Sequence, residues 1–103
     1  MHLHALVMAP SPISREALKR ALTGSGLARF TFTEAGSPEE ARFRFDPEKT
    51  DLVFLAFDST VPLSVAFRLV GALRLEQKHP TLIIVVGSRR MLEKVDLLDI
   101  DHS

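Results

Sequence analysis

Residues 51–58 read Asp-Leu-Val-Phe-Leu-Ala-Phe-Asp, an apolar run closed at each end by an acid. A run this short and unbroken has no polar side to turn to water. It predicts a strand buried on both faces, the condition of a central strand in a parallel sheet. Leu82-Ile83-Ile84-Val85-Val86 is a second run of the same type. Such strands need helices over both sheet faces, so the connections between them are expected to be helical. In sheets of this kind ligands sit beyond the carboxyl ends of the strands. The residue that ends the central run is Ala56, an inert methyl group.

The remaining segments agree with that demand. Residues 3–9 predict a first strand, stopped by Pro10 and Pro12. Ser11 is placed to cap the next helix, with Pro12 at its first position, where a missing N–H costs nothing. The expected apolar stripe of this helix is Ile13, Ala17, Ala21 and Leu22, with Arg15, Glu16, Lys19 and Arg20 toward water. Gly24 and Gly26 are stop signals. Phe30 and Phe32 alternate with Thr31 and Thr33, which predicts a half-exposed strand at the sheet edge. Ser37-Pro38-Glu39-Glu40 is a capping box that opens a short helix expected to bury Ala41, Phe43 and Phe45. Val65, Ala66, Leu69, Val70 and Leu73 fall at helical spacing over residues 63–78, with Gly71 among them. Gly87-Ser88 turns the chain after the second buried run. Met91, Leu92, Val95 and Leu98 give an apolar face to a last helix over residues 89–99. The order βαβαβαβα predicts a flavodoxin-like α/β fold with a parallel sheet of order 2-1-3-4. The polar second strand belongs at an edge and the apolar runs belong inside.

Composition narrows the function. A chain of 103 residues is expected to form one domain over residues 1–103. Thirteen basic residues balance 13 acidic ones, so the chain has no general attraction for nucleic acid or an anionic membrane. The absence of cysteine excludes disulfides, thiolate metal sites and thiol catalysis, and suits a reducing cytoplasm. Met1-His2-Leu3-His4 lacks the basic region of a signal peptide, and no apolar run approaches the roughly 20 residues that span a bilayer. His2 and His4 alternate on the first strand without a third metal ligand. No metal or cofactor is expected. No phosphate-cradling glycine pattern occurs, and no acid, base and nucleophile converge at the strand ends, so an enzyme is not expected.

Three stretches carry a resemblance: Leu6-Val7-Met8-Ala9-Pro10-Ser11-Pro12, Asp51-Leu52-Val53-Phe54-Leu55-Ala56, and the segment from His79-Pro80 through Val86-Gly87-Ser88. They resemble the first, third and fourth strands of the receiver domain of bacterial two-component response regulators. The likeness covers residues 3–99 and stops before the family's fifth strand and helix. It implies a cytoplasmic signalling role. The family's chemistry needs a carboxylate to accept a phosphoryl group and acids to hold Mg²⁺. Here the acidic pair falls on Ala9 and Pro10, the acceptor on Ala56 and the hydroxyl on Gly87. The resemblance therefore implies a pseudo-receiver, a regulatory protein–protein interaction module that works without phosphorylation. Two alternatives stay open. One is a phosphoreceiver using the displaced pair Asp58 and Ser88. The other is a flavodoxin-like domain that binds a small ligand in the vacated crevice.

The fourth strand has no expected neighbour on one side. Open apolar edges pair with whatever strand is available. Leu82, Ile84 and Val86, with Arg89, Arg90 and Lys94 of the last helix, are thus the expected interaction surface. It is taken by a second copy in a homo-oligomer or by another protein, unless the chain is a piece of a longer regulator.

Overall fold

The computed structural model describes residues 1–57 and 61–87, and every structural statement below concerns these residues. Their elements are β1 (His2–Met8), α1 (Pro12–Gly24), β2 (Arg29–Ala35), α2 (Pro38–Arg44), β3 (Leu52–Ala56), α3 (Leu63–Glu76) and β4 (Leu82–Val86). The strands form a four-stranded sheet of order β2-β1-β3-β4. All three pairings are parallel. The α/β class and the strand order match the reading of the sequence. The last predicted helix, and Asp58, Ser88, Arg89, Arg90 and Lys94, lie outside the described residues.

Helix starts form where the caps predict them. Ser11 Oγ accepts from the Ser14 N–H at 3.1 Å, with Pro12 at the first position of α1. Ser37 Oγ accepts from the Glu40 N–H at 3.1 Å. Glu40 Oε1 reaches back to accept from the Gly36 N–H at 3.2 Å, one residue earlier than the usual box. After α1, Gly26 adopts φ 70°, a left-handed conformation that glycine takes without a Cβ penalty.

The main core lies on one side of the sheet. Leu6, Met8, Val53 and Leu55 point there and meet Ala41, Phe45, Ala66, Leu69 and Leu73 of α2, its C-cap and α3. Ala5 and Val7 point to the other side, where α1 packs on β1 and β2. Both sides of β1 are buried from Ala5 onward, and so is most of β3.

Three sequence expectations need correction. The α1 stripe is turned. Ile13 is 84% exposed, and Ala17 and Ala21 are also exposed. Of the expected stripe Leu22 is half-buried, and the other half-buried residues of the helix are Arg15, Leu18 and Lys19. The cause is Glu34 of β2, whose carboxylate draws Arg15 and Lys19 inward. Phe43 is 89% exposed rather than buried, because α2 ends at Arg44 and its core contacts go to Ala41 and Phe45. β4 is apolar but not buried on both faces. Its flanking residues Leu82 and Val86 are 62% and 42% exposed, as befits the end of the described sheet.

Gly71 gives a direct test of this packing. It is exposed in the interior of α3, and a Cβ there meets no atom within 4 Å. No close approach requires glycine. Gly71→Ala is expected to raise stability by about 0.5–1 kcal/mol. Chemical denaturation checks this, and a destabilised variant would show that something packs against that spot.

Candidate functional site

The register builds the mouth of the sheet. β1 and β3 pair as far as Met8 with Leu55, and β3 and β4 as far as Ala56 with Val86. One step on, Ala9 lies beside Ala56, with Gly87 following Val86 on the far side. Phe57 N–H donates to Val86 O at 2.8 Å, and Ala9 N–H donates to Ala35 O at 3.1 Å, so the strand ends are tied together. The structure therefore does bring the expected pocket positions Ala9, Ala56 and Gly87 to one end of the sheet. Pro10 stands there exposed, while Ala9 is buried and Ala56 and Gly87 are half-buried. Their side chains are two methyl groups, a pyrrolidine ring and a hydrogen. None is a hydrogen-bond donor, a base or a metal ligand.

A cation stands at the end of β1. Arg15, in the first turn of α1, donates from Nη1 to Ala9 O at 2.7 Å. Its Nε lies 3.4 Å from Glu34 Oε1, an ion-pair distance without hydrogen-bond alignment. Lys19 Nζ donates to Glu34 Oε2 at 3.0 Å and lies 3.0 Å from Glu16 Oε2. The Glu34 hydrogen bond, then that of Glu16, raises the Lys19 pKa. The Lys19 hydrogen bond holds Glu34 below the usual carboxylate range. Partial burial opposes this, and the Lys19 charge and Arg15 reinforce it. These contacts fasten α1 to β2, and sequence reasoning missed them because helical periodicity does not reveal a partner on another element.

The amino-terminal end of the sheet holds a second polar group that spacing alone does not reveal. Asp51 Oδ2 accepts from the His4 N–H at 2.9 Å, and Oδ1 lies 3.4 Å from His79 Nε2. Thr81 Oγ1 donates to Thr50 O at 3.0 Å beside them. Asp51 thus clips β1, the start of β3 and the turn before β4 together. His2 and His4 each hydrogen-bond across to β2, to Thr31 and to Thr33. Among the described residues, no group of three or more His, Cys, Asp or Glu is arranged to hold a metal ion. No helix among them is long and apolar enough to cross a membrane. A shallow cavity of about 440 Å³ lies away from the strand ends, lined by Glu16, Lys19, Arg20, Thr23, Gly24 and Phe32.

The expected interaction residues Leu82, Ile84 and Val86 share one side of β4, next to Leu52, Phe54 and Ala56 of β3 in register.

The Glu34 contacts carry a pH signature. A carboxyl whose folded pKa is depressed stabilises the fold above its unfolded pKa. That contribution disappears as pH falls through the folded pKa. Acid titration of stability is therefore expected to show a loss below about pH 4.5, smaller in Glu34→Gln than in the parent chain. Equal acid sensitivity of the two proteins would contradict the pairing. Comparison of the chain with family models, with curated proteins and with solved structures returned no match.

Proposed function

We propose that this chain is a flavodoxin-like pseudo-receiver: a regulatory protein–protein interaction module of bacterial signalling that works without phosphorylation. The observation that carries the reading is the side-chain content of the strand ends. The register sets Ala9 beside Ala56, where phosphoryl transfer through a divalent ion needs carboxylates. The Arg15 guanidinium bonded to Ala9 O adds positive charge at the end of β1, which disfavours a cation there.

Contact is the activity left to such a domain. β4 supports this with an uncharged apolar strand, Leu82–Val86, at the end of the described sheet. A strand edge recruits another strand through backbone hydrogen bonds. The proposed partner is a second copy or another protein, engaged through this edge and the charged residues Arg89, Arg90 and Lys94 that follow it in sequence.

Incubation with a small phosphodonor and Mg²⁺, read by intact mass, tests the phosphorylation-independent part. No adduct is expected. A phosphoryl adduct that disappears in Asp58→Ala would overturn the reading in favour of a displaced acceptor. Sedimentation at micromolar concentration is expected to show self-association. A monodisperse monomer would remove the homo-oligomer and leave only a different protein as partner.

A further inference from the structure

Among the described residues, β2 has one strand neighbour, β1. Arg29 N–H donates to Met1 O at 2.9 Å, and Ala35 O accepts from the Ala9 N–H at 3.1 Å. Successive residues of a strand turn their backbone groups to opposite sides. The odd-numbered residues of β2 therefore bond to β1, while Phe30, Phe32 and Glu34 turn their N–H and C=O groups to the outer edge. The register sets Phe32 beside Ala5 and Glu34 beside Val7, so the side chains of these three residues stand on the α1 side. The two rings are stacked, with centroids 5.7 Å apart. Thr31 and Thr33 stand on the α2 side. Residues 30–33 carry no charge, the usual guard of a strand edge that is kept single.

The helices beside this edge carry paired charges. Lys19 reaches Glu34 of β2, so the α1 flank toward the outer edge holds Glu16, Lys19, Arg20 and Thr23, which line the shallow cavity with Phe32. On α2, Arg42 reaches Glu76 of α3. Glu40 and Arg44 are each two residues from Arg42, about 200° round the helix, and lie on the flank away from α3. Each edge flank thus holds an acid one turn before a base: Glu16 with Arg20 at 3.8 Å, and Glu40 with Arg44 at 3.4 Å.

We propose that the β2 edge is a homodimer seam, where two copies of this chain pair antiparallel about a two-fold axis through Thr31 and join their sheets into one. The seam complements itself at three levels. The outward N–H and C=O groups of Phe30 meet those of the partner's Phe32, and the reverse. The same register sets Phe30 against the partner's Phe32 as an aromatic cross-strand pair, once on each side of the axis. Each helix runs antiparallel to its copy, so an acid-then-base flank turns its acid toward the partner's base. An axis through Phe32 would leave one aromatic pair and set each Phe30 against the partner's Glu34, so Thr31 is the better centre. A second copy meets all three demands by symmetry, since the same patch serves on both sides. The inference stands apart from the pseudo-receiver reading. A phosphoryl adduct would leave it intact, and it leaves β4 to a different protein.

The chain contains no cysteine, so one introduced thiol reports the seam. Thr31 would face its copy as a non-hydrogen-bonded pair with Cα atoms about 4.5 Å apart, within reach of a disulfide. Thr31→Cys is expected to give a cross-linked dimer under mild oxidation, read on a non-reducing gel and by intact mass as two chains less two hydrogens. Leu82→Cys, exposed on β4, is expected to stay monomeric under the same conditions. Thr31→Lys would set two cations face to face across the axis. It is expected to sediment as one chain with unchanged circular dichroism, where the parent sediments as two. A monomeric parent, a dimeric Thr31→Lys, no disulfide in Thr31→Cys, or one that forms as readily in Leu82→Cys would overturn the proposal.

Discussion

The pairing of β1 with β3 is the constraint on which the other elements depend. Ala5 to Met8 lie in register with Leu52 to Leu55, and both strands are central in the sheet. A one-residue slip of either strand would send its inward pair, Leu6 and Met8 or Val53 and Leu55, to the wrong side and open the main core. Asp51 reinforces the register from below. Its N–H donates to His4 O at 2.9 Å, and its carboxylate accepts from the His4 N–H. The same register that buries the core also sets Ala9 beside Ala56 at the other end. The position of the mouth follows from packing, while its chemical content follows from which residues stand there.

Much of this was legible in the sequence. Ser11-Pro12 and Ser37-Pro38-Glu39-Glu40 mark helix starts because capping is local chemistry within a few residues. The order of strands was legible because a polar strand, Arg29–Ala35, and an apolar one, Leu52–Ala56, tolerate different neighbours. The turn of α1 was not. Periodicity assigns Ile13, Ala17 and Ala21 to the inside, but Glu34 lies on β2 and its pairing with Arg15 and Lys19 reverses the preference. The aliphatic stems of those two side chains cover the sheet while their charged ends reach the carboxylate. Asp51 escaped for the same reason. Its partners, His4 and His79, are distant in sequence, and only the fold brings them together. The candidate pocket positions reach one end of the sheet because they sit at strand ends, where position along the chain and position in space coincide.

Fold alone does not fix activity in a sheet of this kind. A parallel sheet of order 2-1-3-4 is a scaffold that serves many chemistries, and the residues at its carboxyl end decide among them. Here that end carries methyl groups, a proline and a glycine, and an arginine bonded to the backbone of β1. An apolar mouth among the described residues and an apolar strand edge are the two features on which the proposed reading of a domain held by other protein surfaces rests.

The proposed reading requires that the mouth of the sheet not grip a divalent cation. Titration with Mn²⁺, followed through the backbone amide signals of Ala9, Ala56 and Gly87, tests it most directly. A bound Mn²⁺ broadens nearby resonances strongly. The account predicts that these three signals stay as sharp as those at the opposite end of the sheet through millimolar Mn²⁺. Selective, saturable broadening at the three positions would contradict it.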